Sequence, residues 1–188
     1  MKRILVIITI TTIFVLFATF LLNNETNVSK KVEKKGCFYK ISDNLTIYSL
    51  YCLEELADIP IIIEKNLSTK NYNVSIIFFD PLGRGYYSAA LLELLLKIPL
   101  SYIPVCLYYD EKCDFYSLDI KEDWYYIADK NNKTYNISSE EKLIIFLLQN
   151  ETNNIIIKEN KIYIMGKDEG IRKAVSKFLL WWYGIANN

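Results

Sequence analysis

The chain contains no histidine. That absence removes the side chain that most often serves as general base, proton shuttle or metal ligand near neutral pH. Ser/His/Asp and Cys/His nucleophilic sites and histidine-ligated metal centres are therefore excluded. Charge of one sign is missing as well. The 22 Lys and Arg cancel the 22 Asp and Glu, and without a long run of either sign there is no electrostatic footprint for nucleic acid. The one basic cluster, Lys30, Lys31, Lys34 and Lys35 around Glu33, reads as a solvated linker. Asp110, Glu111, Asp114, Asp119, Glu122 and Asp123 offer oxygen ligands, but their spacing fits no calcium loop. No metal and no cofactor are expected.

A long apolar run is present. Lys2 and Arg3 precede Ile4–Leu22, which carries no charge and only Thr9, Thr11, Thr12 and Thr19 as polar interruptions. At about 1.5 Å per residue this run reaches about 28 Å, close to the thickness of a bilayer core. Residues 18–22 offer no small-x-small cleavage pattern, so the sequence predicts an uncleaved signal-anchor, with a cleaved secretory signal as the alternative. Residues 1–3 would then be a cytoplasmic tip, 4–22 the membrane span and 23–36 a polar linker. About 165 residues remain beyond the apolar segment, the size of one domain with a substantial core.

Flanking charge does not orient the span, because Lys2 and Arg3 compete with the lysines of the linker. Asn-x-Ser/Thr sequons supply another signal. They occur at Asn24, Asn27, Asn44, Asn66, Asn73, Asn132, Asn136 and Asn150, against about two expected by chance from the composition. The excess favours an extracytoplasmic, glycosylated C-terminal domain on a single-pass membrane protein. The cysteines agree with an oxidising compartment. A hairpin centred between Tyr109 and Asp110 sets Cys106 opposite Cys113, which leaves Cys37 with Cys52. Buried free thiols are the competing reading.

Along the domain, Phe38–Ile41 and Leu45–Leu50 read as short strands about a turn at Ser42, Asp43 and Asn44. A helical turn at Leu53–Ala57 and an apolar run Ile59–Ile63 follow, and 37–72 form a strand-rich extension. Val74–Phe79 is a continuous apolar strand of the kind buried on both faces, ending at Asp80-Pro81. Tyr86–Lys97 is a helix apolar almost all round, which predicts packing between layers. Tyr102–Tyr109 is the next strand, and about 111–137 form a strand-rich insertion with a turn at Lys130–Lys133. Ser138 and Glu141 have the spacing of a capping box, predicting a helix that runs to about Gln149. Ile155–Lys158 and Lys161–Met165 form a hairpin about Glu159-Asn160. A final helix runs from Asp168 as cap to Tyr183, stopped by Gly184, with Ile185 packing back.

Read from residue 73 to 185, this α/β order of strand, helix, strand, insertion, helix, strand, strand, helix resembles the thioredoxin fold, β-α-β-α-β-β-α. The wording Phe78-Phe79-Asp80-Pro81-Leu82 resembles the approach to the Cys-x-x-Cys loop of disulfide oxidoreductase relatives. Gly83 and Tyr86 stand where the two cysteines would be, so Gly83, Arg84, Gly85 and Tyr86 form a degenerate active-site loop without a thiolate. Asn153-Asn154 occupy the place of the family's cis-proline. The resemblance implies no catalytic residue. It implies a membrane-anchored module with a binding or assembly role toward another envelope protein. Two alternatives stand beside it, a thiol-disulfide oxidoreductase that uses Cys106 and Cys113, and a purely structural cell-surface protein.

Overall fold

Apolar runs rich in Ile, Tyr and Phe direct most of the domain into strands, where branched and aromatic side chains pack well on a pleated surface. The computed structural model describes residues 36–67 and 72–186. The apolar segment Ile4–Leu22, the linker 23–35 and the sequons at Asn24 and Asn27 lie outside the described residues. Within those, no helix is long and apolar enough to cross a membrane. Residues 36–188 form one compact unit.

The chain opens with β1 (Cys37–Ser42) and β2 (Leu45–Ser49), an antiparallel hairpin that pairs with no other strand among the described residues. A disulfide between Cys37 and Cys52 closes its base. A 3-10 turn, Leu53–Leu56, follows and leads to β3 (Ile61–Lys65). Next come β4 (Val74–Phe79), α1 (Arg84–Lys97) and β5 (Ser101–Cys106). A meander of β6 (Phe115–Ile120), β7 (Trp124–Asp129) and β8 (Thr134–Ser138) precedes β9 (Lys142–Gln149), β10 (Asn154–Lys158), β11 (Lys161–Gly166) and α2 (Glu169–Trp182). The main sheet has nine described strands in the order β3-β10-β11-β9-β4-β5-β6-β7-β8.

Four expectations need correction. The segment assigned to a capped helix at 138–149 is strand β9, parallel to both β4 and β11. Ser138 Oγ accepts from the Glu140 amide at 3.1 Å, and Glu141 has φ 58°, so the residues of the supposed capping box make a turn instead. Second, Cys106 and Cys113 are bonded, but not across a hairpin. β5 ends at Cys106, and β6 meets it through one parallel pair, Cys106 with Tyr116, so the bond closes the loop between the two strands. Third, α1 is not sandwiched between layers, since Leu92 is 55% and Leu96 74% exposed. Fourth, Asp168 stands at the N-cap position of α2 but its side chain makes no capping hydrogen bond. At the other end, Gly184 has φ 72°, and the amides of Ile185 and Ala186 turn back to the Leu180 carbonyl, as a glycine stop requires.

Alternation along the strands builds two main cores, with a small third cluster of Cys106, Tyr116 and Ala128. On one face Ile77, Leu143, Ile145, Leu147, Ile155, Ile157, Ile162 and Ile164 pack against α1 and α2, which bring Leu94, Ile171, Val175, Phe178 and Leu179. The opposite face presents Ile76, Phe78, Val105, Ile144 and Phe146. There the meander folds back over the sheet and lays Tyr125 and Ile127 on them. Phe78 stacks on Phe146 with ring centres 5.0 Å apart, and Phe146 stacks in turn on Tyr163 at 4.9 Å. Lys161, at the start of β11, pins the meander by donating to the Glu122 carbonyl and pairing with Asp123 at 3.6 Å. The layers are therefore helices, sheet and meander.

Phe78 is fully buried, so Phe78→Ala leaves a cavity between sheet and meander. A loss of about 3–5 kcal/mol in denaturant unfolding is expected.

Candidate functional site

Parallel strands β4, β5, β9 and β11 end on one side of the sheet, the side where open α/β sheets place their binding loops. The crevice is favoured where adjacent strands send their connections in opposite directions. Here β4 continues through α1 to its neighbour β5, while its other neighbour, β9, continues toward β11 on the far side. Both helices start at this end, α1 directly after the loop 80–83 and α2 shortly after Gly166.

The Asp80 carboxylate accepts the Leu82 amide at 2.8 Å, and the Asp80 carbonyl accepts the Gly83 amide at 3.2 Å, which turns the chain from β4 into α1. A Cβ on Gly83 would lie 2.1 Å from the ring of Tyr87. Glycine is needed there for close approach rather than for an unusual backbone. Tyr87 is 2% exposed and donates its hydroxyl to the Gly166 carbonyl at 2.8 Å, joining the start of α1 to the end of β11. Asn153 sets its amide against Gly170, whose Cβ would lie 2.1 Å from Asn153 Oδ1. Gly85 has open space beside it, and Tyr86 is 38% exposed. The Arg84 side chain lies outside the described residues.

Tyr108, from the disulfide-closed loop, donates its hydroxyl to the Asp80 carboxylate. Between that loop and α1 lies an open cleft of about 440 Å³, walled by Phe79, Pro81, Leu91, Leu92, Leu95 and Cys113. Asp110 and Lys112 stand at its margin. Cys106 is 1% exposed, while Cys113 is half-buried against the cleft. Both bonded pairs, Cys37 with Cys52 and Cys106 with Cys113, are those expected from the sequence, and residues 83–86 lie at the start of α1. The sequence reading missed the cleft, because only the fold-back of the chain after β5 brings Cys113 beside Leu91. The stretch Leu91-Leu92-Glu93-Leu94-Leu95-Leu96, too apolar for a helix that packs on one side only, is the signal that points to it.

The chemistry offered at this end is limited. No group of His, Cys, Asp and Glu suited to a metal ion occurs among the described residues. Burial and the Asp80 charge push the Tyr108 phenol up to about 12, and burial pushes Tyr87 up further, so neither is a nucleophile near neutral pH. A second cavity, about 410 Å³, lies at the opposite end among Tyr72, Asp123, Trp124, Glu140 and Glu141. Glu111, Asp114, Asp119 and Glu122 are exposed and Asp110 is half-buried; Lys130 pairs with Asp114 at 2.9 Å and Lys121 with Asp119 at 3.5 Å. Of the described sequons, Asn44, Asn66, Asn73, Asn132 and Asn136 are exposed, whereas Asn150 is half-buried.

Gly83→Ala is expected to lose roughly 1–3 kcal/mol by forcing Tyr87 aside. Gly85→Ala should gain about 0.4–1 kcal/mol because the methyl group meets nothing. Denaturant titration of the pair checks both. The tyrosines give a pH expectation too. Burial, followed by the Glu169 hydrogen bond, raises Tyr51 to about 12; Tyr87, Tyr108 and Tyr125 are raised as well, from an ordinary 10.0. The folded state holds these protons longer than the unfolded chain. Their stabilisation is thus complete below pH 10 and is lost as pH climbs through about 12. Phenolate absorbance followed with unfolding should show these tyrosines ionising late.

Comparison of the chain with protein-family models, with curated proteins and with solved structures found no match.

Proposed function

We propose that the chain is a single-pass membrane-tethered, extracytoplasmic binding module that holds another envelope protein and does no thiol redox work of its own. The strand–helix–strand unit β4–α1–β5 and the strand–strand–helix order of β10–β11–α2 support the resemblance, although β9 and not the hairpin pairs with β4. At β9 the order departs from it, with a strand where that fold has a helix. The observation that carries the reading is the apolar cleft beside a loop that brings no sulfur. Leu92 and Leu95 on one wall and Pro81 on another give a partner apolar surface to bury, and Asp110 and Lys112 give it a polar rim. Two disulfides support an oxidising compartment, and the exposed sequons support a glycosylated surface.

Cross-linked pull-down from native membranes tests the binding role. Wild-type protein is expected to retain an envelope protein that Leu92→Glu loses. Leu92 is exposed, so the variant should fold with an unchanged melting temperature. Equal capture by both proteins would discard the cleft as the binding surface. Protease added outside intact cells should digest the domain, and protection until lysis would overturn the topology.

A specific observation favours a second reading. Cys113 borders the same cleft, so a bound thiol could reach one sulfur of the Cys106–Cys113 pair. Under the first reading, thiol titration of the native protein finds no free thiol and an insulin reduction assay stays blank. Turnover that disappears with Cys113→Ser would establish the oxidoreductase instead.

A further inference from the structure

The sheet ends in two strands that no other strand covers among the described residues, β3 on one side and β8 on the other. An open strand edge is a row of unpaired amides and carbonyls, and proteins ordinarily guard it with charge, proline or a bulge. β8 is Thr134, Tyr135, Asn136, Ile137 and Ser138, with neither a charge nor a proline. Its pairing with β7 runs without a bulge through five residues, from Ser138 opposite Trp124 to Thr134 opposite Ala128. β3 starts with Ile61, Ile62 and Ile63, and Ile62 is 44% exposed. Yet β3 is guarded: Pro60 precedes it, its end carries Glu64 and Lys65, both at least half exposed, and its pairing with β10 shifts register between Ile157 and Lys158. Only β8 lacks the usual protection.

Sequons stand at both edges. Asn66 follows β3 directly and is exposed. Asn132 lies in the turn that leads into β8, and Asn136 lies within β8, on its outward face across from Tyr126. Asn132 accepts the Tyr116 hydroxyl through Oδ1 at 2.8 Å, so that contact does not use the nitrogen that would carry a sugar. Asn150 differs on both counts. It is half-buried, and its Nδ2 donates to Met165 Sδ at 3.6 Å.

We propose that N-linked glycans on Asn132 and Asn136 shield the open β8 edge of the nine-stranded sheet, and that Asn150 stays bare. The proposal rests on the extracytoplasmic reading. Attachment forms a bond from asparagine Nδ2 to the anomeric carbon of a lipid-linked oligosaccharide. The bond from that carbon to the carrier's diphosphate breaks, the lipid diphosphate leaves, and one amide proton is released. The membrane that receives the chain supplies donor and transferase. A bulky hydrated glycan beside the edge then blocks the approach of a second strand while leaving the α1 cleft uncovered.

The full chain, translated into glycosylating microsomes and recovered in detergent as folded, protease-resistant protein, provides the test. Peptide mapping is expected to find glycan on Asn132 and Asn136 and none on Asn150. Trimming the folded protein with an endoglycosidase should convert monomer into assemblies of about twice the mass or more, as edge pairing between copies requires. Removing only the Asn44 sequon by Thr46→Ala should leave the monomer unchanged. Trimmed protein that stays monomeric, or glycan on Asn150 as abundant as on Asn136, would overturn the proposal and leave the extracytoplasmic reading standing. Absence of glycan from every sequon would overturn that reading and the proposal with it.

Discussion

Everything in this domain leans on β9. It is the strand between β4 and β11, and it contributes to both cores at once. Leu143, Ile145 and Leu147 enter the layer under the helices, while Ile144, Phe146 and Leu148 enter the layer under the meander. Burial of each such side chain contributes roughly 1.5–3 kcal/mol, so one strand of eight residues joins two otherwise separate apolar layers. Because strands β4 and β11 pair with its two edges, the end of the sheet where α1 and α2 begin is aligned by β9 as well.

That strand is also where reading the residues in order goes astray. Ser138 and Glu141 have the spacing of a helix start, and the apolar run that follows fits a buried helix as well as a buried strand, because periodicity cannot separate them. Length and branching decide it. Lys142–Gln149 is short and carries Ile144, Ile145 and Phe146 in a row, which suits a pleated surface. Elements with local punctuation were legible: β4 ending at Asp80-Pro81, the β10–β11 hairpin about Glu159-Asn160, and the stop at Gly184. The meander's fold-back was not, since it is fixed by Tyr125 meeting Phe78 across the sheet, a contact with no trace in local sequence.

The candidate site was half legible for the same reason. Gly83 and Tyr86 reveal in sequence that sulfur is missing from the loop. How the loop packs is visible only in three dimensions: the Tyr87 ring lies where a Gly83 side chain would go, and its hydroxyl ties α1 to Gly166. The loop is therefore a packed joint between the start of α1 and the end of β11. Beside it lies the cleft between α1 and the disulfide-closed loop, where Tyr108 and Asp80 hold the two sides in register.

The bond between Cys37 and Cys52 has a mechanical meaning. A pull on the chain at Gly36 reaches Cys37 and passes through the sulfurs to Cys52, so tension bypasses the β1–β2 hairpin altogether. The load arrives at the 3-10 turn, where the Leu53 amide donates to the Tyr39 hydroxyl and Leu56 is fully buried against the helix layer. Next to it Tyr51, 1% exposed, donates its hydroxyl to Glu169 at the start of α2. A domain pulled by its N-terminal end thus takes the force in its core, through a covalent link, while the hairpin hangs slack beside the path and keeps its shape.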